Sequence, residues 1–133
     1  MIALSIGSCE KEKRRRNPFL QEAKFKEEIN LNLPRYIKLR HSWNAVLVDN
    51  VGLRGIVVIN IGNNYMAWDR ACPSQALSDC SQMTLESDHR FMLCPCTGVK
   101  YDLAIGLPLS GTSPYPMLNY QVVKQGDVLV IFN

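Results

Sequence analysis

From Tyr36 onward the chain alternates short apolar runs with turn residues, the pattern of β-strands rather than helices. "NAVLVDN" (44–50), "GIVVINIG" (55–62) and "NYMAWD" (64–69) are rich in Val, Ile and aromatic residues and are separated by Asn and Gly. Gly52, Gly55 and Gly62, with Asn63-Asn64, suit the positive-φ positions of tight hairpins. Farther along, "HRFMLCPC" (89–96) reads as a strand leading into Cys94 and "VKYDLAIG" (99–106) as a strand leaving it, so the segment between is a loop held by two strands. "MLNYQVVKQGDVLVIFN" (117–133) predicts a closing hairpin that turns at Gln125-Gly126 or Gly126-Asp127. Only "FLQEAKFKEE" (19–28) has a weak helical look, and residues 30–34, ending in Pro34, stop it. Strands spaced roughly 8–12 residues apart imply an all-β sandwich or small barrel, interrupted after residue 71 by a cysteine-bearing section of two loops.

Composition narrows this picture without changing it. A chain of 133 residues, 47% hydrophobic and 20% charged, has enough material for one domain with a single core plus a tail. No run approaches the roughly 18 apolar residues of a membrane-spanning helix. The net charge of +3 is uneven, since ten of the fifteen Lys and Arg but only five of the twelve acids precede residue 41. The basic run Lys11, Lys13, Arg14, Arg15 and Arg16 has no interleaved aromatic residues for base stacking and no nucleic-acid motif after it. It reads as a solvated linker, and no nucleic-acid partner is expected.

Ahead of that run, "MIALSIGSC" places small residues before Cys9 at the end of an apolar octet. This resembles the end of a bacterial lipoprotein signal, in which the cysteine receives the lipid, although no basic n-region precedes the apolar stretch. The expectation is that residues 1–35 are a signal or anchor remnant and linker. Cys9 would then be a lipid anchor at the membrane surface of the bacterial cell envelope. The alternative is a cytoplasmic protein with an inert thiol.

Four more cysteines follow, spaced Cys72-x7-Cys80-x13-Cys94-x-Cys96. Structural zinc sites draw ligands in C-x2–4-C pairs, which this spacing fits poorly. Disulfides are natural in an oxidising compartment, and four cysteines allow three pairings. A bond between Cys80 and Cys96 would close about 17 residues, worth roughly 3 kcal/mol on the chain-entropy model.

The third chemistry rests on a family. "RACPSQ" (70–75), "CPCTGVKYDLAIGLPLSG" (94–111), "SPYPMLNYQV" (113–122) and "GDVLVIF" (126–132) resemble, in order, the Rieske [2Fe–2S] domain. The resemblance covers about three quarters of the chain, residues 36–133. It implies a Rieske-like antiparallel β-sandwich or barrel in which two loops hold the cluster by C-x-H and C-x-x-H. Cys72 and Cys94 match the thiolate positions, while Ser74 and Thr97 stand where the imidazoles should be. Cys96 matches a loop cysteine that pairs across the two loops in many members, with Cys80 as its implied partner. The implied couple that remains is Cys72 with Cys94.

A Rieske centre needs two imidazole nitrogens on one iron, and hydroxyls are poor donors unless deprotonated. The only histidines are His41 and His89, and His89 lies five residues ahead of Cys94 on the same predicted strand. The resemblance therefore implies a degenerate member with no cofactor expected, acting as an exported binding or structural module for an unknown protein partner. The alternatives are an electron carrier with a non-standard [2Fe–2S] site, or an accessory subunit of an oxidoreductase. No spacing suggests a Ser–His–Asp or Cys–His catalytic set. Asp69, Asp79, Asp88 and Asp102 read as solvated acids in turns or at strand ends, and the Trp and Tyr residues as core.

Overall fold

The computed structural model describes residues 17–21, 23–109 and 115–133. Among these residues nine strands form two antiparallel sheets. The larger contains β1 (Lys26–Asn30), β2 (Ala45–Val48), β3 (Ile56–Asn60), β4 (Tyr65–Asp69), β8 (Asn119–Gln125) and β9 (Val128–Phe132). Their spatial order is β1-β9-β8-β4-β3-β2. The smaller joins β5 (Thr84–Leu85), β6 (Phe91–Leu93) and β7 (Lys100–Asp102) in sequential order. Among the described residues the only helical element is a single 3-10 turn, Ile37–Arg40.

Why β3 is an unbroken apolar run becomes clear from its neighbours. Ile56 and Val58 enter one core with Ile29, Leu39, Val46, Leu129 and Ile131. Val57 and Ile59 point the other way, into a second core with Trp68, Met83, Met92, Tyr101 and Leu103. Successive side chains of a strand face opposite sides, so a strand covered on both faces loses its polar positions. All five β3 residues are accordingly buried. The second core lies between the large sheet and the small one, and the cysteine loops are built on it.

The helical reading of residues 19–28 does not hold. Lys26–Asn30 is a strand whose five residues pair with Val128–Phe132. Ile29 turns into the core while Lys26 and Glu28 face outward, so helix-forming side chains occupy the exposed face of an edge strand where pairing decides the backbone. The packed body thus begins before residue 36, within the stretch assigned to linker. Leu20 and Leu31 are buried there as well.

The closing hairpin turns at Gly126-Asp127, with Gln125 paired to Val128. Gly126 has φ of 62°, the left-handed conformation that glycine adopts at no steric cost. The Asp127 side chain then accepts from Arg40 Nη2 at 3.2 Å and from Asn32 Nδ2 at 3.3 Å, tying the turn to the segment after β1.

Candidate functional site

The first cysteine loop, residues 72–82, leaves the end of β4 and returns toward β5. Its base is closed by an isolated bridge between Ala71 and Gln82 and by Cys72 N–H donating to Ser81 O at 2.8 Å. The second loop, residues 94–99, joins β6 to β7. The Cys94 carbonyl accepts from Thr97 N at 3.3 Å and Gly98 N at 2.8 Å, and Cys94 N donates to Val99 O at 2.9 Å. Gly98 has φ of 77°, which lets this turn reverse so sharply.

Two disulfides join these loops. Cys72 is bonded to Cys94, with Cα atoms 5.7 Å apart, and Cys80 to Cys96, with Cα atoms 5.1 Å apart. Their surroundings differ. Cys72 and Cys94 are each 1% exposed and pack with Met83, Met92, Tyr101, Leu103 and Met117 in the second core. Cys80 is exposed and Cys96 half-buried. The inner bond is therefore part of the apolar core, and the outer one lies at the surface.

The remaining loop positions carry hydroxyls. Thr97 is exposed, and its Oγ1 accepts from Val99 N at 3.2 Å, a local turn contact. Ser74 is half-buried on the first loop. Neither histidine converges on them. His41 is exposed after the 3-10 turn. His89 sits in the β5–β6 turn, its backbone N–H donating to Glu86 O at 2.9 Å, with Nδ1 buried and without a partner among the described residues. It stands in the turn at the far end of β6 from Cys94, with Arg90 and the strand Phe91–Leu93 between them. Among the described residues no three His, Cys, Asp or Glu side chains group as a metal site. The donor set of this end of the molecule, one disulfide and two hydroxyls, does not fit a centre that requires two thiolates and two imidazoles.

Six features here were not legible in the sequence. Gln75 Nε2 donates to Cys96 Sγ at 2.9 Å, and Ser78 Oγ lies 3.6 Å from Cys96 Sγ and 3.7 Å from Cys80 Sγ. Arg54, on the β2–β3 turn, donates from Nη2 to Ser78 O at 2.6 Å. Asn17 Nδ2 donates to Pro73 O, and Phe19 meets the Tyr115 ring edge-on, centroids 5.9 Å apart, so the segment before β1 runs against the first cysteine loop. Asp69, read as a solvated acid, is instead fully buried and completely hydrogen-bonded, as described below. Polar loop residues and buried acids carry no periodic signal, so only the folded chain reveals them. Cys9 lies outside the described residues.

Arg70 follows Asp69 into the interior. Its Nε donates to Met83 O at 3.1 Å and its Nη1 meets Asp49 Oδ1 at 3.3 Å. Burial pushes the guanidinium pKa down from its ordinary value, partly offset by the Asp49 and Asp69 carboxylates. This pair positions the strand that delivers Cys72.

No family model matches the sequence, and no curated protein does. In structure the chain is similar to the cyanobacterial plasma membrane Rieske protein PetC3 from Synechocystis PCC 6803. The two share 18% identity and a TM-score of 0.50, over 59% of this chain and 77% of that one. It is also similar to the Sphingomonas yanoikuyae B1 ferredoxin, at 19% identity and a TM-score of 0.49, over 70% of this chain and 88% of that one. The all-β architecture with two disulfide-bearing loops at one end is a Rieske-like fold.

Proposed function

We propose that this chain is a Rieske-like domain that has lost its iron–sulfur cluster and acts as an exported binding or structural module for a protein partner. The observation that carries the reading is the chemistry of the four cluster positions. Cys72 and Cys94 spend their sulfurs on each other, and Ser74 and Thr97 offer hydroxyls where imidazoles are required. A binding role is supported by the loops around the site. Leu77 on the first loop, and Leu107 and Leu109 after β7, are 45%, 49% and 52% exposed. Leu109 N donates to Lys100 O at 2.9 Å, next to the second loop. Large apolar side chains left in water on loops suit a docking face.

Export is supported by the two disulfides, which persist in oxidising compartments. In this reading Cys9 carries a lipid that tethers the domain to the cell envelope, and intact mass of membrane-extracted protein tests that directly. The decisive experiment for the site is iron and acid-labile sulfide content, with a visible absorption spectrum, on protein purified from its own host. The expected result is a colourless protein without stoichiometric iron. About two irons per chain, the content of a [2Fe–2S] cluster, overturns the proposal in favour of an electron carrier.

A further inference from the structure

The two disulfides span the same pair of loops, yet one is in the core and the other in water. That difference alone decides which sulfur an external thiolate reaches, because exchange requires access to the sulfur attacked. Cys72 and Cys94 are each 1% exposed. Cys80 is exposed, and Cys96 is half-buried behind it.

The hydrogen bonds around Cys96 point the same way. Gln75 Nε2 carries two protons, one directed at Ser78 Oγ (3.3 Å) and one at Cys96 Sγ (2.9 Å). Ser78 Oγ accepts from Gln75, so its own proton is left for the sulfurs, 3.6 Å from Cys96 and 3.7 Å from Cys80. A disulfide sulfur has no proton to give, so Gln75 donates to Cys96 and the one Ser78 hydroxyl proton serves a single sulfur at a time. Disulfide sulfur is a weak acceptor and thiolate a strong one, so donors fixed beside Cys96 favour the reduced form. Ser78 is well fixed. Ser78 N donates to Ser81 Oγ at 2.8 Å, Ser81 Oγ returns to Ser78 O at 2.9 Å, and Arg54 Nη2 holds the same carbonyl at 2.6 Å. The arginine also adds a positive charge to this loop.

We infer that Cys80–Cys96 is a thiol–disulfide exchange site for a dithiol reductant, with Cys80 the sulfur attacked and Cys96 the leaving thiolate. One thiolate of the dithiol attacks Cys80 Sγ, the Cys80–Cys96 bond breaks, and Cys96 departs as a thiolate held by Gln75 and Ser78. The second thiol of the reductant, deprotonated to solvent, attacks its partner sulfur in the mixed disulfide and releases Cys80. Two electrons pass to Cys80 and Cys96, and the dithiol leaves as a disulfide. The loop survives the step, because the inner disulfide and the Cys72 N–Ser81 O bond still close its base. This site goes beyond the docking role and rests on Cys72 and Cys94 being paired with each other.

The test is graded reduction of the full native chain in dithiothreitol redox buffers, with acid quench, alkylation and peptide mass mapping. Cys80 and Cys96 are expected to become labelled together at a poise where Cys72 and Cys94 stay protected, with circular dichroism unchanged. Gln75→Leu is expected to lower the equilibrium constant for reduction of the outer pair about tenfold, one lost hydrogen bond to a charged sulfur, without moving the inner pair. Labelling of all four cysteines in a single transition, or of the inner pair first, overturns the inference. An unchanged outer midpoint in folded Gln75→Leu overturns the assignment of the donors.

Discussion

Tyr120 donates its hydroxyl proton to Asp69 Oδ2 across 2.6 Å. The same carboxylate accepts the backbone N–H groups of Leu53 at 2.6 Å, Arg54 at 3.2 Å and Ala71 at 2.8 Å. One fully buried acid thereby ties the β2–β3 turn, the entry to the first cysteine loop and β8. Gly52 leaves room for it, since a Cβ there would stand 2.5 Å from Asp69 Oδ2. Tyr120→Phe removes one bond to a buried charge and is expected to cost about 2 kcal/mol. Asp69→Ala leaves three N–H groups without their acceptor and is expected to cost about 3 kcal/mol or more. Urea unfolding measures both. A loss below about 0.5 kcal/mol for Tyr120→Phe, under the ordinary worth of a hydrogen bond, would show that the hydroxyl is dispensable.

Gly106 marks a second close approach. A Cβ at this position would lie 2.4 Å from Trp68 Cζ3 at a φ of +76°, while the Trp68 indole N–H is fixed to Leu103 O at 2.7 Å and cannot yield freely. Gly106→Ala is expected to destabilise the fold by about 3 kcal/mol, combining left-handed strain with overpacking, and to alter Trp68 fluorescence. Gly98, with φ of +77° and open space around it, isolates the first component. Gly98→Ala should cost only about 1 kcal/mol. Equal losses at the two sites would mean that the indole adjusts without penalty.

The inner disulfide closes residues 72–94 inside the second core. The double variant Cys72→Ala/Cys94→Ala is expected to lose about 3 kcal/mol by the chain-entropy argument, measured by chemical unfolding of the oxidised protein. Cys80→Ala/Cys96→Ala should cost less, because the inner bond already restrains the same two loops. The reverse order of losses would contradict the structural division into core staple and surface couple.

Much of this architecture is legible in the chain. Strands β2, β3 and β4 coincide with "NAVLVDN", "GIVVINIG" and "NYMAWD", because β-branched and aromatic runs between Gly and Asn punctuation have few other uses. What escaped was context. Lys26 to Asn30 contains residues that suit a helix, and only Val128–Phe132, about a hundred positions away, makes it a strand. Asp69 has the sequence appearance of any turn acid, and its burial depends on Tyr120 arriving from β8. In the site, Cys72 and Cys94 were visible as positions, whereas Gln75 and Ser78 acquire meaning only from where Cys96 lies.

The β8–β9 turn has a pH dependence whose sign follows from its contacts. Hydrogen bonds from Arg40 and then Asn32, with the Arg40 charge, hold the Asp127 carboxyl below its ordinary range. A carboxyl depressed by folding stabilises the native state above its unfolded pKa, near 4, and that contribution is lost as pH falls through the folded value. Asp127→Asn should therefore lower stability at neutral pH and show a smaller loss than the native chain between about pH 4 and pH 2. Thermal unfolding across that range measures it. Parallel acid profiles for the two proteins would remove the turn from the explanation.

The proposed absence of a cluster is testable by placing imidazoles on the two cysteine loops. Ser74 and Thr97 lie on the two loops that bring Cys72 and Cys94 within 5.7 Å of each other at Cα, a separation compatible with two thiolates on one metal once the disulfide is reduced. If the hydroxyls are what bars a cluster, Ser74→His/Thr97→His supplies the two imidazoles that a Rieske centre requires. Anaerobic reconstitution of reduced protein with ferrous iron and sulfide is expected to leave the native chain colourless and to give the double variant visible absorption with about two irons per chain. Colour in the native chain would show that cysteine and hydroxyl ligation suffices. A colourless double variant would place the barrier in the packing around the inner sulfurs, where Met83, Met92 and Tyr101 close over them, rather than in the two substituted ligands.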